Sequence, residues 1–361
     1  MMVLGVSQSN QYTADGKLRE VHGWHIGFST DLPEREELLK RTAINNDKVA
    51  AVETWYATGG SARPTDQAEK EVTDARVRII GQPADTKLYA TEIVEGRWLN
   101  VSDTYSVVAG TVVAAERGWN IGDQIILTNN AGDDMNVTVV GTHFDPGGGA
   151  SSLHMPLSTL QKEWGNFEVA NLVVMQLKEE AAAGQVSAVV ELEESFAKAG
   201  VGVRPASTFG ANTIDEISAN LAEGLAIIIQ LLAVMAVVIA LVGGVGLSGV
   251  LSLSVLERTR EIGVMRAIGA SSGQVIRLFI GEGILLGWLS WLIAIPLSIP
   301  AAWYLSTKGL SFVLNSTLAY QFSFQGPLIW LGIITVLAIL ASVFPARRAS
   351  RVSVRESLSY S

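Results

Sequence analysis

The chain has 361 residues, 48% hydrophobic and only 17% charged, with no cysteine and a net charge of −9. These figures exclude disulfides, thiolate metal sites and a cysteine nucleophile, and the acidic balance argues against nucleic-acid binding. From Leu225 onward, 9 Lys+Arg and 4 Asp+Glu give +5, which leaves 17 and 31, or −14, before it.

Residues 1–224 read as a mixed α+β domain. Strand-like runs are Val21–Phe28, Val49–Tyr56, Arg76–Ile80, Tyr105–Val113, Gln124–Leu127, Asn136–Gly141 and Leu172–Leu177. Helix-like stretches are Pro33–Thr42, with proline at a favourable first position, Pro156–Trp164 and Glu179–Ala199. Gly122–Asp123, Asn129–Asn130 and Ala131–Asp133 supply turn chemistry between strands. Runs of strands with a few interposed helices indicate α+β rather than a doubly wound sheet.

Constellations for catalysis are scarce in this domain. His22 and His25 lie three apart, a spacing that sends them to opposite faces of a strand, and no third ligand accompanies them. Asp145-Pro-Gly-Gly-Gly149 lacks the P-loop pattern and reads as a loop after a strand. No G-x-S-x-G marks a nucleophile, so the expectation is of no enzyme and no metal site.

The second half is expected to be an all-α membrane domain, residues 225–361. Between Glu223 and Glu257 run 33 uncharged residues, between Glu282 and Lys308 another 25, and the apolar core Pro327–Phe344 follows. About 20 apolar residues cross a hydrocarbon core, which places spans at 225–256, 283–306 and 327–345. The segment between the first two spans holds Arg258, Arg260, Arg266 and Arg277, and the tail holds Arg347, Arg348, Arg351 and Arg355. Only Lys308 lies between spans two and three. Positive loops stay in the cytoplasm, so the expected order is an extracytoplasmic N-terminal domain with the arginine-rich loop and the C-terminus inside. Trp303, Tyr304 and Trp330 suit an aromatic belt at the outer interface. Gly283 and Gly287 stand at the spacing that lets helices approach closely, and Pro296 and Pro300 are expected to loosen span two.

Residues 257–271, ERTREIGVMRAIGAS, read as a short amphipathic helix. Ile262, Met265 and Ile268 recur every three residues as an apolar face, and Glu257 with Arg260 and Glu261 with Arg258 lie within pairing distance. Gly269 is placed to end the helix, and Ser271 to cap the next one through Gln274. An interfacial helix lying on anionic lipid has the same composition.

This string closely resembles the coupling-helix signature of FtsX/MacB-type ABC transporter permeases, in which E-x-x-x-E-I-G-x-x-[RK]-A-x-G-A follows a transmembrane helix. The tail Pro345–Arg351, continuing to Leu358, resembles the family's closing segment, with Ser353 and Val354 where an Asp-Pro pair is common. Glu95–Leu99, Gly122–Asp123, Val139–Gly141 and Met155–Leu160 resemble landmarks of the MacB-like periplasmic core domain. The resemblance implies a permease subunit whose cytoplasmic helix sits in a groove of a separate ABC ATPase subunit. That ATPase would bind ATP and Mg, so no cofactor is expected in this chain. Glu257, Arg258, Glu261, Ile262, Gly263, Met265, Arg266, Ala267 and Gly269 are the coupling positions by that analogy. Ile262 and Met265 are expected to anchor while the charges set register and partner choice. No Walker A motif is present.

The resemblance also implies a four-helix unit, one span more than the three read here. The expectation is of a product shortened at its start or the second half of a larger permease. Expected partners are the ATPase, a second permease unit, the lipid bilayer and an extracytoplasmic adaptor or hydrolase. Export or extraction of lipid, lipoprotein, peptide or drug is the leading function. The alternative is a regulator that transmits ATP-driven motion to an extracytoplasmic hydrolase or a sensor kinase without transporting anything.

Overall fold

The computed structural model describes residues 12–65, 76–145, 151–179, 182–206, 212–305 and 324–350. The chain divides into two units, one holding the described residues up to Leu225 and the other Ala226–Tyr304 with 324–350. Each is described by itself.

In the first unit, short helical turns at Tyr12–Lys17 and Leu18–Val21 precede ten strands. These are β1 (Ile26–Arg35), β2 (Val49–Pro64), β3 (Arg76–Gln82), β4 (Glu92–Gly96), β5 (Ser106–Gly110), β6 (Gln124–Asn129), β7 (Asp134–Phe144), β8 (Ser152–Pro156), β9 (Val169–Leu177) and β10 (Val203–Pro205). The helices among them are α1 (Glu36–Ile44), α2 (Thr111–Arg117), α3 (Leu157–Glu163) and α4 (Ala182–Lys198).

Strand pairing separates the unit into two bodies that share β2. The first is an antiparallel sheet in the order β10-β1-β9-β2, built by the chain as β1-α1-β2 and later β9-α4-β10. That order and connectivity are those of a ferredoxin-like split βαβ unit. Its helix-covered face buries Phe28, Leu39, Val173, Met175, Leu192 and Phe196. The second body is inserted between β2 and β9. Its strands close a ring, β2-β3-β8-β5-β7-β6 and back to β2, with β4 added to β7. Closure leaves the ring no unpaired edge, and its interior is filled by Ile79, Val107, Ile125, Leu127, Val139, Leu153 and Met155. The first half of β2 pairs with β9 and its second half with β3 and β6, so one strand of 16 residues serves both bodies.

Several elements differ from their sequence expectations for local reasons. The strand expected from Val21 starts at Ile26, because His22 forms only an isolated bridge, to Tyr89. Pro33 belongs to β1, within the irregular stretch of its pairing with β9, and α1 starts at Glu36, whose N–H donates to the Glu168 carbonyl. The run Tyr105–Val113 divides at Gly110: Val112 and Val113 become helical and bury in α2, packing overriding their strand preference.

The second unit contains three helices long and apolar enough to cross a membrane by length and composition: α5 (Ile214–Glu257), α7 (Ser272–Tyr304) and α8 (Gln325–Ala349). Between the first two lies α6 (Thr259–Ala267). Helix α5 contributes Ile214 and Ile217 to the core of the first unit, and its apolar stretch belongs to the second. Helix α7 packs on α8 through Gly283 and Gly287. A Cβ on Gly283 would fall 2.0 Å from Ser342 Oγ, and one on Gly287 3.1 Å from Ile334 Cγ2. Trp288 Nε1 donates to Thr335 Oγ1 and Trp291 Nε1 to the Pro327 carbonyl, both at 3.0 Å. The small residues of span two therefore serve packing within the chain. Pro296 and Pro300 lie inside the continuous α7.

Candidate functional site: the helix between the first two apolar helices

Helix α6 is bounded by chemistry already visible in the sequence. Gly269 takes φ +103, a conformation that favours glycine, and the Ala270 N–H returns to the Met265 carbonyl to close the helix. Two residues on, Gln274 N–H donates to Ser271 Oγ at 3.3 Å while Ser271 N–H donates to Gln274 Oε1 at 2.7 Å. This reciprocal capping box starts α7 at Ser272, eleven residues before its expected apolar core at Gly283.

The side chains of α6 are split between an inner and an outer face. Ile262 is fully buried in a cluster with Val255 of α5, Val275 and Phe279 of α7, and Ala346 and Ala349 of α8, and Met265 packs against it. Gly263 is also buried. Arg266 Nη1 donates to the Ser350 carbonyl at the end of α8 at 3.0 Å. The helix thus rests on the ends of all three apolar helices. Pointing outward are Glu257, Arg258, Arg260, Glu261, Val264, Ala267, Ile268 and Gly269; Val264 is 49% exposed and Ile268 81%.

The apolar triplet read from the sequence does not share a face. A helix advances about 100° per residue, so a spacing of three falls about 60° short at each step. Two steps carry Ile268 about 120° away from Ile262, out of the intrachain core and into the open. The charged pairing differs too: Glu257 closes α5 instead of sharing a helix with Arg260, and Arg258 Nη1 lies 3.9 Å from Glu282 of α7. Of the sequence-selected residues, Ile262, Gly263, Met265 and Arg266 face inward or bind this chain. Glu257, Arg258, Glu261, Ala267 and Gly269 face out. Val264 lies off the three-residue pattern but follows Arg260 and Glu261 at helical spacing and faces out.

In the first unit, no group of three or more His, Asp or Glu side chains among the described residues is placed to hold a metal ion. His25 Nδ1 accepts from the Leu177 N–H at 3.0 Å, whereas His22 turns into a buried cluster described below. Residues 146–149 of the Asp145–Gly149 stretch and residues 351–358 of the closing tail lie outside the described residues.

Three apolar helices of spanning length, joined through an amphipathic helix and preceded by an α+β domain, define a multi-pass membrane protein with a large domain outside the bilayer. Residues 233–354 match the FtsX-like permease C-terminal family model. The chain is 26% identical over 277 residues to an uncharacterized ABC transporter permease of Methanocaldococcus jannaschii, covering 74% of this chain and 65% of that one. It is 31% identical over 153 residues to the macrolide export ATP-binding/permease protein MacB of Chromobacterium violaceum, covering 42% of this chain and 22% of that one. The periplasmic region of MacB from Actinobacillus actinomycetemcomitans aligns with a TM-score of 0.40 and 11% identity, over 58% of this chain and 97% of that one. The chain thus carries an FtsX-like permease C-terminal domain at residues 233–354 and is similar over 74% of its length to an ABC transporter permease. It spans 65% of the length of the archaeal relative and about a fifth of the bacterial one.

Proposed function

We propose that the chain is the membrane subunit of an ABC system in which a separate ATPase docks on the outer face of α6. Its α+β domain, on the opposite side of the membrane, moves in response. The observation that carries this reading is the division of α6: a buried face bound to the ends of all three apolar helices and an exposed outer face. A helix adsorbed on lipid needs only a basic outer face. This one exposes Arg260, Glu261, Val264 and Ile268, with Glu257 just ahead of it at the end of α5, a mixed stripe of charged and apolar side chains that suits a protein groove. Pushing on that stripe loads α5, α7 and α8 together through Ile262, and α8 additionally through Arg266. The arginine distribution supports a cytoplasmic α6 and C-terminus and an extracytoplasmic first unit. Catalysis of ATP hydrolysis belongs to the partner, which would hold ATP and Mg.

Export or extraction of a lipid, lipoprotein, peptide or drug is the function this arrangement supports, and transmission of motion to an extracytoplasmic hydrolase or sensor kinase is the second reading. The apolar composition of the three spans favours movement over an ion pathway, since ionisable residues mark such pathways. The docking surface is tested by co-purification with a co-expressed ABC ATPase subunit. Val264→Asp/Ile268→Asp is expected to lower its recovery at least tenfold while membrane insertion and thermal stability stay at wild-type levels. Undiminished recovery would place the ATPase elsewhere.

A further inference from the structure

Three of the four histidines of the chain meet in one buried cluster in the first unit, together with Asp145 and Tyr89. His22, from the turn ahead of β1, sets Nε2 3.3 Å from Asp145 Oδ1. Tyr89 donates its hydroxyl hydrogen to Asp145 Oδ2 at 2.6 Å and lies 3.5 Å from His143 Nδ1. His143, on β7, and His154, on β8, meet edge to face with ring centres 4.7 Å apart. Tyr89 stacks on His154 at 5.0 Å, and Trp98 covers both imidazoles. His154 is held by Ser152 Oγ at 2.9 Å and Gln82 Oε1 at 3.2 Å. The titratable or charged groups facing the two inner imidazoles are His22, Arg78 of β3, Tyr89 and Asp145.

The position of the cluster is as informative as its composition. It joins the ring, through β3, β7 and β8, to the segment that enters β1. That segment packs Leu18, Val21 and Trp24 against Leu88, Tyr89, Ile214 and Ile217. The Ala90 N–H donates to the Val21 carbonyl, and Arg19 pairs with Asp215 at the start of α5. The chain entering this unit and the helix leaving it are therefore fastened together, and His22 fastens the entering segment to the ring.

We propose that this cluster is an acid-sensitive latch: protonation of His143 and His154 releases the His22 segment and the Tyr89 loop from the ring. Burial pushes the His143 imidazole down to about 4, with Asp145 opposing the shift and His22 adding to it. Burial likewise depresses His154, and His143 adds to that. Burial pushes the Asp145 carboxyl up, but His22, Tyr89 and His143 outweigh it and hold the group well below the carboxylate range. Asp145 thus stays ionised while the imidazoles take up protons. Imidazoles that are neutral when buried and basic when hydrated bind more protons in the opened state. The closed latch is then fully stable above about pH 6.5 and loses stability as the pH falls towards 4. Asp145 neutralises part of the added charge, but it faces His22, Arg78 and two new imidazolium ions.

The test is amide hydrogen exchange of the full chain in lipid nanodiscs between pH 7 and pH 4, corrected for intrinsic rates. The opening constant of residues 20–24 and 86–92 is expected to rise at least about 100-fold, the factor set by one imidazole moving from about 6.5 to about 4. Strands β1 and β9 should remain protected. In His143→Gln/His154→Gln the rise should shrink below about tenfold. If that variant fails to fold, Asp145→Asn in the same assay should open the segments already at pH 7. Flat protection to pH 4 in the wild-type chain, or an equal loss across β1 and β9, overturns the proposal.

Discussion

At the level of single residues, glycines of the same composition class have opposite roles. Gly283 lies against Ser342 and Leu251, so Gly283→Leu must push α7 off α8. Overpacking of this kind costs about 1–3 kcal/mol. The variant is expected to lower the melting temperature of the solubilised chain. Gly243→Leu, where an added Cβ meets nothing within 4 Å, is expected to leave it within error. Differential scanning fluorimetry decides between the two. Ile262→Ala removes a fully buried side chain shared by three helices and is expected to destabilise by about 2–5 kcal/mol.

In the α+β domain, Glu36 accepts from Lys40 at 2.8 Å, Gln161 at 2.6 Å and Thr54 at 3.0 Å. Burial pushes its carboxyl up, yet these donors outweigh burial and leave it below the usual range. A carboxyl lowered on folding stabilises above its unfolded range and loses that contribution in acid. Glu36→Gln is therefore expected to cost about 1 kcal/mol at pH 7, with the difference from wild type closing below about pH 4 in denaturant titrations.

At the level of elements, the sequence located most strands and all three apolar helices, because period and run length are local properties. It did not reveal the ring. Closure depends on β2 passing from β9 to β3 after Trp55 and adding β6 from Gly60, and Gly59-Gly60-Ser61 has the composition of a strand end. Gly60 and Ser61 sit in mid-strand because β3 and β6 pair with them on both sides. The borders of α6 were legible from Gly269 and Ser271, whose capping roles depend on neighbours three or four residues away. Its rotation was not legible, since three apolar residues at equal spacing match a helix only in part. What fixed it was contact with Phe279 and Ala346, supplied by α7 and α8. The histidine cluster had no local signal at all: His22, His143 and His154 come from three parts of the chain. At this scale the proposed docking of an ATPase rests on the outer stripe of α6. Arg260→Glu, a single reversal on that stripe, is expected to weaken retention of the ATPase without loss of membrane association, measured by flotation.

For the whole molecule, the net charge of −9 is an average over an acidic α+β part and a basic membrane part. That separation supports the proposed orientation, with the arginines around α6 and after α8 on one side of the bilayer and the acidic domain on the other. The proposed function requires both that the two parts face opposite sides and that α6 receives the ATPase. The absence of native cysteine makes both accessible to one measurement, labelling of single cysteines by a membrane-impermeant maleimide in sealed vesicles. Val101→Cys and Ile268→Cys replace side chains that are 78% and 81% exposed. Val101→Cys is expected to be labelled only from the extracytoplasmic side. Ile268→Cys should be labelled only from the cytoplasmic side, and protected when the ATPase is present. Labelling of both positions from one side, or undiminished labelling of Ile268→Cys with the ATPase bound, would contradict the proposed function.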